Sequence, residues 1–386
     1  MPIRYKVAII SNNDFSALDL PLNLAKILSL NDFTVDIIAP SDSKVIVDSL
    51  SPGIRFIKLA MLIKNSHRFR SLEFWVRVLL SAGSGYDAVI GVDNVGFVAA
   101  HIFKKIKRAK TLVYYALELS LPSEHWWVFA NHYLKFFCKH SDIVISTGIE
   151  RASIMQKEFG LKTPPTIIHN CPMRHEIKKN GQLERTLRVK LGVDFKFIVI
   201  YHGGLNHDRA VINLINSAEK LEEEIVLAIM GFGDPGYIEK LRRLIKSKRL
   251  EKKILLLGWL DLSKTELLDF ISGADIGIAL HFYKKDNSPG AVYWTPNKIF
   301  EYMACGLPMV TSDNPSLNFI TDLGVGSCVN PDDPGEIAEA VNNIYNNKDM
   351  CDKMKHNCRR LFDSEFNYEK QSRNLVSLIR EKCRSN

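Results

Sequence analysis

The sequence predicts an α/β protein of two doubly wound, Rossmann-like domains facing a cleft. Three observations carry that reading. Short continuous apolar runs recur along the chain, without the polar alternation of a half-exposed strand. Helical patterns separate them, which is the rhythm of β-α-β units and a parallel sheet. A polar stretch poor in strand signal, CPMRHEIKKNGQLERTLRVKLGVD (171–194), divides the series in two. At 386 residues the chain has the length for two or three domains.

The elements follow in order. RYKVAIISNND (4–14) is an apolar strand ending in small polar residues, LDLPLNLAKILSL a helix, TVDIIAP a second strand. IRFIKL, a long helix near 66–82, DAVIGVD, a helix from about 95, TLVYYAL, a helix near 125–139, DIVIST, a short helix and TIIHN complete the first series. The second has the strands KFIVIYHG, IVLAIMGFG, KILLLGWL, DIGIAL, PMVTSD and GSCVN with helices between, and NYEKQSRNLVSLIREKC closes the chain as an amphipathic helix. The expected division is 1–175 for a first Rossmann-like domain, 176–192 for a linker, 193–365 for a second Rossmann-like domain and 366–386 for the C-terminal helix.

Composition limits the function class. Hydrophobic residues make up 46% and charged residues 24%, as in ordinary soluble proteins. No apolar run is long enough to span a bilayer, and no signal peptide precedes the first strand, so the expected location is cytoplasmic. Seven cysteines without a Cys-x-x-Cys pair read as free thiols. The net charge of +8 fits nucleic acid, anionic lipid or phosphorylated substrates. No nucleic-acid-binding signature accompanies it, so a nucleic-acid partner is not expected.

In open α/β sheets ligands sit at the carboxyl ends of the strands. Three strand ends and one helix start carry candidate chemistry. YHGGLNHDRA (201–210) ends a strand on Gly203 and Gly204 and sets Arg209 before a helix, which suits a phosphate or equally a plain turn. MGFGDPG (230–236), with Gly231 and Gly233, lacks the spacing of a dinucleotide fingerprint. LLGWL (256–260) offers Trp259 and Leu260 beside a base, or for packing. TPNKIFEYMACGLP (295–308) reads as a helix with Thr295 as N-cap, Pro296 in its first position and Gly306 at its end. Lys298 in its first turn suits a phosphate, and Glu301 one turn on suits paired hydroxyls, the layout of a nucleotide-sugar. The alternative for the pair is a surface ion pair worth about 0.2–0.5 kcal/mol.

TPNKIFEYMACGLPMV closely resembles the signature helix of retaining glycosyltransferases of the GT-B fold, family 4 (group 1) type. HGGLNHDR, IMGFG, LLGWL and ADIGIAL follow that family's pattern, and the resemblance spans roughly 195–345. In the first domain it rests on LVYYALEL (112–119). The resemblance implies a donor that is a UDP- or GDP-sugar, and no cofactor. It implies Arg209 and Lys298 on the diphosphate, with Gly203–Gly204 and the N–H groups of Trp294 and Thr295 nearby, and Glu301 on the ribose. The base would lie near Gly231–Gly233 and Gly258–Leu260. Two positions depart from the family: Tyr293 stands eight before Glu301, where many members have Glu, and Leu117 stands before Glu118, where many have His. No Asp-x-Asp lies beside a strand end, so no metal is expected, and the leaving phosphate can itself take the acceptor proton. Glu118 is the catalytic candidate; Asp93, Asp14 and His169 are strand-end residues read as structural.

The expected acceptor is a saccharide or a lipid-linked saccharide of a cell envelope. Residues 61–80 and 123–140 are basic, aromatic, amphipathic helices, and Lys64, His67, Arg68, Arg70, Lys104, Lys105, Lys107, Arg108 and Lys110 cluster in the first domain. The apolar faces by themselves better suit packing on the first domain's sheet; the basic cluster is what points to an anionic membrane surface at the inner face of the cell membrane. The competing readings are an epimerase or phosphorylase on the same fold, and a non-catalytic nucleotide-sugar-binding or scaffold subunit.

Overall fold

The computed structural model describes residues 5–13, 19–40, 52–63, 66–119, 134–176, 187–189, 192, 196–282 and 292–385. Asp14, Lys64, the side chain of His67, most of the helix expected over 123–140 and the first part of the loop 287–294 lie outside them. The chain forms two compact units, Met1–His169 with Gln371–Asn386, and Asn170–Asn287 with Ala291–Lys370.

The first unit is a seven-stranded parallel sheet. Its strands are β1 (Tyr5–Ile10), β2 (Phe33–Pro40), β3 (Ile54–Leu59), β4 (Ala88–Val92), β5 (Thr111–Ala116), β6 (Ile143–Ser146) and β7 (Thr166–Ile167). They lie in the order β3-β2-β1-β4-β5-β6-β7, so the order reverses between β1 and β4. Helices α1 (Asp19–Leu30), α2 (His67–Ser81), α3 (Asp93–Lys107) and α4 (Ile149–Phe159) connect them. The central strands β4 and β5 are buried along their length, which is why they read as unbroken apolar runs. α3 comes so close to β1 that a Cβ on Gly96 would lie 2.6 Å from the Ile10 carbonyl oxygen. The C-terminal helix Arg373–Ser385 belongs to this unit, where Arg380 donates to the Asn31 carbonyl (2.8 Å) and Arg384 to the Tyr5 hydroxyl (3.1 Å).

The second unit repeats the architecture with six parallel strands: β8 (Phe197–Leu205), β9 (Ile225–Gly233), β10 (Ile254–Gly258), β11 (Ile276–Ala279), β12 (Met309–Ser312) and β13 (Gly326–Val329). Their order is β10-β9-β8-β11-β12-β13, with the reversal between β8 and β11. α5 (Val211–Ser217), α6 (Pro235–Ser247), α7 (Lys264–Ile271), α8 (Asn297–Cys305), α9 (Pro334–Asn346) and α10 (Lys348–Ser364) flank the sheet. Two apolar clusters form its core, one around Tyr201, Leu227 and Ile278, the other around Ile299, Phe300 and Tyr302.

α8 is the helix of TPNKIFEYMACGLP, and its start differs from expectation. Pro296, not Thr295, occupies the N-cap position, with φ −72° and ψ 141° and no side-chain cap, so the helix begins at Asn297. The φ of Pro296 would allow a helix, but its ψ is extended, which moves the first helical residue one position on. The other end matches: Gly306 caps it at φ 71°, the left-handed region that glycine enters without strain.

Candidate functional site

The geometry begins with how α8 is held on the sheet. Gly277 in β11 has no side chain, and the Tyr302 ring fills that place: a Cβ there would lie 2.4 Å from the ring. The Tyr302 hydroxyl donates to the carbonyl of Ile278, 3.0 Å away, and lies 3.4 Å from that of Ile200. α8 is thereby seated over β8 and β11, where the strand order reverses. Both its faces are covered, and Lys298 (9% exposed) and Glu301 (4% exposed) are buried. A solvated surface ion pair is excluded.

Lys298 and Glu301 do not pair with each other within salt-bridge distance. The Lys298 ammonium sits 4.0 Å from the centroid of the Tyr201 ring, and the Tyr201 hydroxyl donates to the Gly204 carbonyl (2.6 Å). Gly203, at φ 122°, makes room for that ammonium; a Cβ there would lie 3.2 Å from Nζ. Burial first, then the nearby Arg209 charge, pull Lys298 down to about 7. Glu301 is instead paired with Lys264 from the start of α7, 2.5 Å away, and its Oε2 lies 3.2 Å from His202 Nε2. The Lys264 charge offsets the burial of Glu301 and keeps its carboxyl below the usual range. Burial holds His202 neutral, down to about 4.

Arg209 follows β8 in a short turn that ends at Ala210, φ 50°. Its guanidinium lies 4.3 Å from the centroid of the Trp294 ring. Its Nη1 is buried with no hydrogen-bond partner among the described residues. The His281 ring flanks the same indole at 4.7 Å and is fixed by Nδ1 against the Asp208 carbonyl, 2.6 Å away. Tyr293, Trp294 and Thr295 are half-buried directly before α8. A buried N–H without a partner among the described residues on one cation, and a buried ammonium on the other, are groups that a bound anion would satisfy.

The remaining expected donor residues divide. Gly231 and Gly233 serve the sheet first: a Cβ on either would lie 1.8 Å or 2.1 Å from the facing carbonyl oxygen of β8. Leu260 packs on the core. Trp259 is 60% exposed and meets Phe232, 57% exposed, edge to face at 5.1 Å. Phe232 was not singled out in the sequence; the aromatic between two strand-end glycines is the signal for it. With Gly204, Asn206, His207 and Tyr237 it lines a cavity of about 470 Å³. Lys264 and His202 were also missed, since neither lies in the signature helix. No group of three or more His, Cys, Asp and Glu among the described residues is placed to hold a metal ion.

In the first unit Glu118 is mostly exposed, 3.8 Å from Arg151. Its N–H (3.2 Å) and that of Leu117 (2.9 Å) donate to Asp93, which sits at φ 52° at the end of β4. Burial pushes the Asp93 carboxyl up to about 6. The His169 ring is tied through Nδ1 to the Thr147 carbonyl, 3.1 Å away, and burial keeps it below the usual range.

Known proteins share this fold. Residues 196–347 match the family model described as Glycosyl transferases group 1. No curated protein matches the chain by sequence. Among solved structures, Anabaena HepE in complex with UDP and glucose is similar at TM-score 0.74 and 16% identity, over 98% of this chain and 100% of that one. Sucrose-phosphate synthase from Thermosynechococcus elongatus is similar at TM-score 0.77 and 18% identity, over 99% and 100%. WaaG, a glycosyltransferase involved in lipopolysaccharide biosynthesis, is similar at TM-score 0.63 and 12% identity, over 97% and 99%. The match to the group 1 glycosyltransferase model thus falls within the second unit, and the fold is a two-domain one of the GT-B type.

Proposed function

We propose that the protein is a nucleotide-sugar glycosyltransferase, of the retaining hexosyltransferase type (EC 2.4). The observation that carries this is the pair of cations at the β8/β11 strand ends: buried Lys298, and Arg209 with a buried Nη1 that has no hydrogen-bond partner among the described residues. They receive the diphosphate of a UDP- or GDP-sugar, and UDP is the first choice because HepE is complexed with it. Glu301 accepts the ribose hydroxyls, and Phe232 with Trp259 flanks the base. Fixed cations in a dehydrated site stabilise charge on the leaving diphosphate, which is where it develops. The same phosphate takes the acceptor proton on the face it leaves, so the anomeric configuration is kept. Glu118, exposed beside Arg151, is a minor contributor. The acceptor is a saccharide or lipid-linked saccharide of a cell-envelope polysaccharide or glycolipid.

A membrane-facing role for the first unit is supported by α2. Phe74 and Val78 of this helix are fully buried, yet Phe69, Leu72, Val76 and Leu80 are exposed by 51–80%. Its single carboxylate, Glu73, is satisfied by Arg77 and by the N–H groups of Leu62 and Ile63. The ridge thus presents apolar and basic groups, which suits the inner face of an anionic membrane. Two members of the expected basic cluster are engaged elsewhere, Lys104 with Asp142 and Lys110 with Asp87.

Incubating the protein with α-linked UDP- and GDP-sugars and a membrane lipid extract tests the activity. The expected result is nucleoside diphosphate release in the presence of EDTA, an α-linked product by proton NMR, and residual turnover in Glu118→Gln. A β-linked product with no turnover in that variant would make Glu118 the base of an inverting enzyme. Binding without turnover would favour the non-catalytic subunit.

A further inference from the structure

We infer that Lys264 is a positioning residue that makes the site selective for ribonucleotides, by holding Glu301 ready for the ribose diol. This rests on the donor assignment above. A carboxylate reads vicinal hydroxyls well only when it is ionised and fixed in orientation, because both hydroxyls donate to it. Burial works against ionisation, and Glu301 is buried at 4% exposure. His202 cannot supply the missing charge, since it is neutral. The nearest charged partner that the structure provides is Lys264, whose ammonium bonds Oε1, while His202 stands against Oε2. The Lys264 bond anchors Oε1, while the His202 ring, whose Nε2 makes no hydrogen bond among the described residues, packs 3.2 Å from Oε2 and limits rotation of the carboxylate. Lone pairs remain on both oxygens, so the two hydroxyls of a ribose can be accepted without displacing Lys264.

The local fold holds Lys264 in place. It is the first residue of α7, behind the Ser263 N-cap, and Ser263 and Glu266 form a reciprocal capping box. α7 follows directly on the β10 end that carries Trp259. The element beside the base site therefore also governs the ribose site. Lys264 is removed from the diphosphate cations in role: its charge is spent on Glu301, whereas Lys298 and Arg209 have no carboxylate within salt-bridge distance among the described residues.

The test is calorimetric titration of the parent chain, Lys264→Met, Lys264→Gln and Lys264→Arg with UDP, 2′-deoxy-UDP, GDP and 2′-deoxy-GDP. In the parent the better-bound ribonucleotide should exceed its 2′-deoxy form by at least tenfold. Lys264→Met and Lys264→Gln should lower that ratio to within about threefold of one, mainly by weakening the ribonucleotide, while Lys264→Arg preserves it. In a Glu301→Gln background the Lys264→Gln change should not alter the ratio further. A merely structural role would weaken ribo- and deoxynucleotides equally and leave the ratio unchanged, which would overturn the inference. Should Lys264→Met fail to fold, the Gln variant decides by the same ratio. A parent that binds nucleoside diphosphates without preferring the ribo form overturns this inference alone. A parent that binds none of the four overturns the donor assignment with it.

Discussion

In the proposed donor site, Lys298 meets the diphosphate as a cation whose free-state proton is held only to about pH 7. A bound diphosphate favours the charged ammonium and raises its pKa, and the last ionisation of a phosphate lies near pH 6, so a nucleoside diphosphate is about nine-tenths ionised at pH 7. Affinity is therefore highest between about pH 6 and 7 and falls toward acid as the phosphate takes up its own proton. Above pH 7, binding must take up a proton, so affinity falls by up to about tenfold per pH unit. His202 is neutral and Glu301 ionised throughout that window. Calorimetry over about pH 6–9, in buffers of differing ionisation enthalpy, should show proton uptake above pH 7 that disappears in Lys298→Ala. A pH-independent affinity in the parent would place Lys298 away from the phosphate. Lys298 and Glu301 were legible in the sequence because three-residue spacing puts them on one side of a helix. That this side is covered was not legible, because it depends on Tyr302 lying over Gly277 in a strand twenty-five positions earlier. Arg209 on Trp294, and Lys264 on Glu301, are long-range pairs that no local pattern encodes.

At the scale of elements, the strands were readable because parallel strands covered on both faces are apolar runs. Gly306 marked the end of α8, but the proline at its start misled by one residue. α2 was harder. Its composition shows an amphipathic helix, yet it is apolar on two sides, and only burial separates Phe74 and Val78 from Phe69, Leu72, Val76 and Leu80. If the exposed ridge meets a membrane, the chain should float with vesicles rich in anionic lipid and be released by salt. Replacing Phe69, Leu72 and Leu80 by Ser should weaken flotation at least tenfold without lowering thermal stability, since these side chains are exposed. Equal flotation of parent and variant, or insensitivity to lipid charge, would remove the membrane from the account.

For the whole molecule, alternation of strands and helices makes the two α/β units visible in the sequence, and the signature helix points to the second as the donor-binding one. The position of the C-terminal helix was not readable, because an amphipathic stripe does not say which sheet it covers. The structure places it in the first unit, against β1. In the proposed donor site, the β8/β11 strand ends of the second unit hold a nucleoside diphosphate through Lys298 and Arg209. Each removes a charge-assisted contact of about 1.5–3 kcal/mol when replaced by alanine. Titration of the full chain with UDP and GDP should therefore show binding that weakens roughly ten- to a hundredfold in Lys298→Ala and in Arg209→Ala, with folding intact by circular dichroism. Equal affinity in the parent and both variants would contradict the assignment.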